Sequence, residues 1–317
     1  MFSSHFVLTS CTSRKRGREE CLRLTTSHIG RDLRETAGRW IQALAEREQL
    51  SPALSRYLGR SIAEAKLAAS FLDAQMYVAS AGMGLISGES LIPQYDLTVS
   101  GNNSALQTVL DRHGATTSQW WDAVCPTGGI SELLAKNSQT LILAALPASY
   151  ISMIAQDLMR SDPHDLSRLR IFTSRAGFDA LPPVLAKNVM PYDERLESIP
   201  GCAGTRADFP QRALRHFVTQ VGGHLLDVES GRLKINQLLS TYKAPQSIAR
   251  QRASDDHIKK LIDKQWATAS GKGSTLLRFL RDVEFVACEQ SRFARLWHEV
   301  RIERTVTGTN PLSIPSK

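Results

Sequence analysis

The chain has 317 residues, 42% hydrophobic and 22% charged, with a formal net charge of +8. This is the composition of an ordinary soluble globular protein, enough for one larger and one smaller domain, and its longest apolar runs, such as Leu141 to Ala148, fall far short of the roughly 20 residues a bilayer span needs. The cationic excess favours a polyanionic partner through steering and solubility.

In chain order, His5-Phe6-Val7-Leu8-Thr9 reads as a first strand, with none of the basic and apolar segments of a signal peptide before it. The five cysteines (Cys11, Cys21, Cys125, Cys202, Cys288) are scattered, odd in number and lack paired metal-ligand spacing. Reduced thiols in a cytoplasm are therefore expected, with no structural metal and no cofactor. The loop after the strand, Ser10-Cys11-Thr12-Ser13-Arg14-Lys15-Arg16, joins small hydroxyls to cations, a combination that binds phosphate or a base oxygen, or else stands as a solvated charge run. Apolar spacing predicts amphipathic helices over Asp32 to Leu50 and Tyr57 to Leu72.

Met76-Tyr77-Val78-Ala79 is a second buried strand, and Gly82, Gly84 and Gly88 break the segment after it. Glycines there suit a loop that builds a site. The loop ends at Pro93-Gln94-Tyr95-Asp96, and Asp96 is either a functional carboxylate or the cap of the next turn. Asn103 to Val124 reads as helical pieces, with Trp120 and Trp121 either anchored on a core or stacking on bases. Third and fourth buried strands are Thr140 to Leu146, leading into Pro147-Ala148-Ser149-Tyr150, and Leu169 to Thr173, leading into Ser174-Arg175. Strands alternating with helices predict an α/β fold with a four-stranded, mostly parallel sheet, flanked by helices. The loops from Ser10, Ala81, Pro147 and Ser174 would then share one sheet edge.

From Leu181 the chain becomes rich in turn residues, with Asp208 expected to cap a helix that brings Arg212, Arg215 and His216 together. A second Pro-Tyr-Asp at Asp193 echoes the first without making a repeat. Ser254 to Arg304 predicts three helices studded with cations. They form either a helix-turn-helix with Arg292 and Arg295 facing DNA or a plain bundle with solvated lysines. The expected organisation is a core over 1–180, a connecting segment with a helix over 181–250, a basic helical region over 251–304 and a flexible tail over 305–317.

At Gly82-Met83-Gly84-Leu85-Ile86, Leu91-Ile92-Pro93-Gln94-Tyr95-Asp96-Leu97 and Ser10-Cys11-Thr12-Ser13-Arg14-Lys15, the first half resembles a diffuse bacterial family related to the peroxide-stress protein YaaA. Gln94 between Pro93 and Tyr95 departs from the usual pattern. The strand layout is also similar to the uracil-DNA glycosylase fold, although there the water-activating Asp follows the first strand, whereas Asp96 follows the second. With its basic C-terminal region, the chain further resembles prokaryotic antiphage DNA glycosylases that remove bulky modified bases.

These resemblances imply a DNA glycosylase that flips and excises a modified base from double-stranded phage DNA, with Asp96 and Tyr95 catalytic. Cys11, Ser13, Lys15, Gly82, Met83, Gly84, Ser149, Tyr150 and Arg175 would hold base and phosphate, and Arg206, Arg212, Arg215, Lys272, Arg292 and Arg295 the DNA. A transglycosylase acting on a deazapurine and a non-catalytic DNA-binding stress or defence protein are the alternatives.

Overall fold

The apolar runs of the first half become strands because each can be buried on both faces. The computed structural model describes residues 4–17, 20–99, 104–125, 128–245 and 250–306, and divides the chain into two units, Met1–Pro245 and Gln246–Lys317. In the first unit, β1 (Ser4–Ser10) is followed by α1 (Leu33–Ala45) and α2 (Arg60–Leu72), then β2 (Gln75–Ser80) and β3 (Gly84–Ser87). Next come α3 (Ala105–His113), α4 (Thr117–Val124), α5 (Ile130–Lys136), β4 (Thr140–Ala145), α6 (Ala148–Met159) and β5 (Leu169–Phe172). Helices α7 (Phe209–His216) and α8 (Val228–Ser240) complete it.

The sheet has five strands in the order β3-β2-β1-β4-β5, all parallel except β3. The fifth strand is a correction to the sequence reading, which left Gly84 to Ser87 in a loop. Gly84 takes φ +67, and Ser80 pairs with Gly84 across a short turn, so the backbone doubles back as a hairpin. Parallel strands demand helical crossovers, and the chain first steps from β1 to β2 and then returns to the other side of β1 as β4. That reversal makes the C-terminal ends of β1 and β4 the switch point of the sheet, where their loops depart in opposite directions.

Alternation along the strands divides the core. Phe6, Leu8, Val78, Ile142 and Ile171 pack beneath Trp40 of α1, Trp120 and Trp121 of α4 and Ile154 of α6. Val7, Leu141, Leu143 and Phe172 face Ala65, Ala68 and Ala69 of α2 and Ala213 and Leu214 of α7. Each fully buried Leu or Ile among them contributes roughly 1.5–3 kcal/mol through area removed from water. Helix starts follow the sequence: Asp32 accepts from Glu35 N at 2.8 Å, and Thr116 from Gln119 N at 3.2 Å.

Residues 181–245 supply part of this second layer, with Phe209, Ala213, Leu214 and Phe217 in its core, rather than acting as a connector. The second unit holds α9 (Asp255–Gln265), α10 (Gly273–Asp282) and α11 (Gln290–Val306), with Gln251–Arg252 laddered in parallel to Val286–Ala287. Ile258, Ile262, Leu276, Leu280, Phe293 and Leu296 form its own core, and Trp266 stacks on Trp297 with ring centroids 6.3 Å apart. Helix α11 runs to Val306, two residues into the expected tail, and the remainder of 305–317 lies outside the described residues. No helix among the described residues is long and apolar enough to cross a membrane.

Candidate functional site

At this switch point, the loops after β1 and β4 are joined by side chains. Cys11 follows β1, and its Sγ lies 2.9 Å from the hydroxyl of Tyr150 in the first turn of α6. The same hydroxyl shares a hydrogen bond with Thr98, two residues past Asp96. Beside it, the Tyr95 hydroxyl lies 2.5 Å from that of Tyr57 and 2.6 Å from Ser80 Oγ. Tyr57, Tyr95 and Tyr150 are all buried, and burial pushes their phenols well above the ordinary value, so they stay protonated.

The glycine loop is turned inward against this network. Ser80 Oγ accepts from Gly82 N and Met83 N, each at 3.1 Å. Two indoles take the adjacent carbonyls: Trp120 Nε1 donates to Ala81 O and Trp40 Nε1 to Gly82 O, both at 2.7 Å. A Cβ on Gly82 would stand 2.8 Å from Tyr95 Cε2, and one on Gly84 2.9 Å from Cys125 Cβ. These glycines therefore serve close packing on Tyr95 and a hairpin turn. Met83 is half-buried against the core.

Lys15 lies on the outer side of the tyrosines, its Nζ 4.3 Å from the Tyr95 ring centroid and 5.6 Å from that of Tyr57, donating to Thr12 O at 3.0 Å. Burial lowers its pKa, while the fields of Cys11 and Asp96 oppose that change. The basic loop keeps Arg14 and Arg16 exposed, but its backbone is tied down. Leu58 N donates to Arg14 O at 3.0 Å and Arg16 N to Arg56 O at 2.7 Å. The buried Arg56 guanidinium reaches Gln94 Oε1 at 3.2 Å and Ser51 Oγ at 3.1 Å, fixing the turn before Asp96.

Asp96 belongs to a two-residue strand, Tyr95–Asp96, paired in parallel with Leu22–Arg23. Its side chain is 47% exposed, with Arg23 Nε 3.9 Å from Oδ2. The next helix, α3, is capped by Ser104, so the carboxylate is not a helix cap. Alternation explains the contrast with its neighbour: Tyr95 points into the core and Asp96 to water. An adjacent cavity of about 330 Å³ is lined by Glu20, Glu46 and Glu48 against Arg47, which makes it repel phosphate.

Of the remaining expected contacts, Ser13 and Arg175 are exposed and Ser149 is half-buried. Arg175 pairs with Asp179 at 2.9 Å. Tyr95 and Tyr150 cannot stack on a base, because their rings lie in the core. Trp120 and Trp121 are fully buried too. Among the expected DNA contacts, Arg206 and Lys272 are exposed. Arg212 is fully buried on Asp208 and Glu197 at 2.6 and 2.7 Å, and Arg215 binds Glu64. Asp208 does stand at the helix start, but its carboxylate takes Thr205 N and Arg212 instead of capping α7. Arg292 and Arg295 each hold Asp255 at 2.6 Å. Both guanidiniums are paired with one carboxylate on α9, with the Arg295 side chain still 54% exposed.

Sequence reasoning missed Tyr57, read as a helix start, Ser80, just past a strand end, Thr98, in the loop after Asp96, and Arg56, which lay outside every predicted element. No local pattern marks them, since their partners come from other elements. Among the described residues no group of three His, Cys, Asp or Glu side chains could hold a metal ion. Compared with known proteins, the chain matches no family model, and no curated protein or solved structure is significantly similar to it.

Proposed function

We propose that this protein is a DNA glycosylase, which turns a modified base out of phage DNA and hydrolyses its N-glycosidic bond in cytoplasmic antiviral defence. The observation that carries this reading is the water-exposed Asp96 on the strand next to the Tyr95 ring that supports Lys15. An N-glycosidic bond breaks through a cation-like sugar, which a carboxylate stabilises while it orients water. The water oxygen then bonds to C1′ of the sugar, and the base leaves with a proton. Lys15, charged in front of the aromatic rings, offsets the charge of a phosphate or of the departing base. Exposed Ser13 would meet a base edge, and Arg175 would exchange its exposed partner Asp179 for a flanking phosphate.

A test incubates the wild type and Asp96→Asn with plain and hypermodified phage DNA and assays abasic sites and freed base. Release by the wild type that is lost in the variant, with DNA binding kept, is expected. Undiminished release by Asp96→Asn removes the carboxylate from the mechanism. Incorporation of added free base in place of an abasic site would mark transglycosylation instead. Burial of the Tyr95 and Tyr150 hydroxyls favours a second reading, a DNA-binding defence protein without catalysis, because it leaves Asp96 with few polar groups at its side. That reading expects steeply salt-dependent binding and no product.

A further inference from the structure

We propose that the C-terminal unit binds the phosphodiester backbone of DNA in an arginine-walled cleft beside its two-residue ladder. The inference shares with the proposed function only the premise that the partner is DNA. The cleft, about 730 Å³, is lined by Arg250, Arg252, Arg281 and Arg292, with Glu289 as the sole carboxylate among its lining residues. Arg292 is spent on Asp255. Arg252 and Arg281 retain charge to give, and Arg250 does so in part. Arg252 lies in the ladder through its backbone, while its side chain is exposed and makes no hydrogen bond or ion pair among the described residues. Arg281 donates Nε and Nη2 to Cys288 O at 3.2 and 2.8 Å, which aims the guanidinium without neutralising it. Arg250 donates Nε to Arg281 O at 2.9 Å, and its ion pair with the exposed Asp282 is 3.2 Å long.

Guanidiniums gathered around one cleft repel each other until an anion enters. Anchoring on backbone carbonyls prepares them for phosphate, whose oxygens match the planar guanidinium fork. The edge of the same ladder adds an apolar element. Phe285, whose carbonyl accepts from Gln251 N at 2.7 Å, takes φ +51 and is 42% exposed, and Val283 is 60% exposed. A bulky residue in left-handed backbone is rare, and here that conformation accompanies an aromatic ring left in water beside a cationic cleft. Cations interleaved with an exposed aromatic are the surface of a protein that tracks a nucleic-acid strand and stacks on a base.

The test measures binding of the full chain to a short labelled DNA duplex, and to one with an unpaired base, across a salt series. Arg252→Ala and Arg281→Ala should each weaken binding roughly tenfold and lower the salt slope by about one, with the double variant lowering it by about two. Phe285→Ala should weaken binding to the unpaired-base duplex about five- to a hundredfold while leaving the salt slope unchanged. Arg295→Ala should bind as the wild type does. The Arg252 side chain makes no bond that folding needs, so its variant reads the cleft even if Arg281→Ala proves unstable. Wild-type affinity and slope in Arg252→Ala, no DNA binding by the wild type, or tighter capture on phosphatidylglycerol–phosphatidylcholine vesicles than on DNA would each overturn the inference. Base release is scored separately. Arginine-dependent binding without any release leaves this site standing and removes the glycosylase, whereas release with binding insensitive to these arginines does the reverse.

Discussion

Cys11 and Tyr150, separated by 139 positions, meet with Sγ and hydroxyl 2.9 Å apart and so tie together the loops that leave β1 and β4. Their contact lies at the reversal of strand order, where loops otherwise diverge. Tyr150→Phe keeps the ring packing and removes the hydroxyl from both Cys11 and Thr98. It should lower stability by about 1–2 kcal/mol in a denaturant titration, because polar groups in the core lose a partner. An unchanged midpoint would show that the junction contributes nothing to holding the two loops together.

Arg212 lies fully buried between Glu197 and Asp208 and also donates to Thr205 O at 2.8 Å. Arg212→Ala should cost roughly 3–5 kcal/mol, since the buried Asp208 carboxylate then keeps only Thr205 N and Arg60 at 4.0 Å. Urea unfolding measures this directly. A variant that kept full stability yet lost DNA affinity would return Arg212 to the binding surface.

His216 lies in the core, with Nδ1 2.8 Å from the Tyr192 hydroxyl, and burial pushes its pKa down to about 4. The folded state thus takes up the proton less readily than the unfolded chain, whose histidine titrates near ~6.5. Its contribution is complete above about pH 6.5 and is lost as pH falls toward about 4, at up to about 1.4 kcal/mol per pH unit. Denaturant unfolding at a series of pH values should show this slope, and His216→Gln should flatten it.

Gly82 packs where a Cβ would meet Tyr95 Cε2 at 2.8 Å. Gly82→Ala must displace a ring whose hydroxyl holds Tyr57 and Ser80, at a cost of about 1–3 kcal/mol. Calorimetric melting checks it. A melting temperature equal to the wild type would mean that the loop tolerates the methyl and that the glycine answers some other need.

Asp96→Asn should change stability by less than about 0.5 kcal/mol, because the side chain is nearly half exposed and its ion pair is long. Equilibrium unfolding separates this from the base-release test. A large loss of stability would make Asp96 a structural residue of the Leu22–Arg23 pairing.

By itself the sequence determined the parallel strands and most of the helices. A strand covered on both faces must be a continuous apolar run, and a helix covering a sheet must repeat its apolar residues with helical spacing, so Thr140–Ala145 and Leu33–Ala45 were legible without partners. It determined the cationic excess as well. Only the tertiary structure decided which polar residues meet water. Tyr95 and Asp96 are adjacent, yet one supplies the core and the other the surface, because the pairing with Leu22–Arg23 sets the face each occupies. Arg212, Arg292 and Arg295 read as free cations until Glu197, Asp208 and Asp255 are brought against them. Arg252 drew no attention in the sequence, and remains open because no carboxylate among the described residues pairs with it. A side chain's charge is written in its own residue, but its availability depends on groups that the fold brings from elsewhere in the chain.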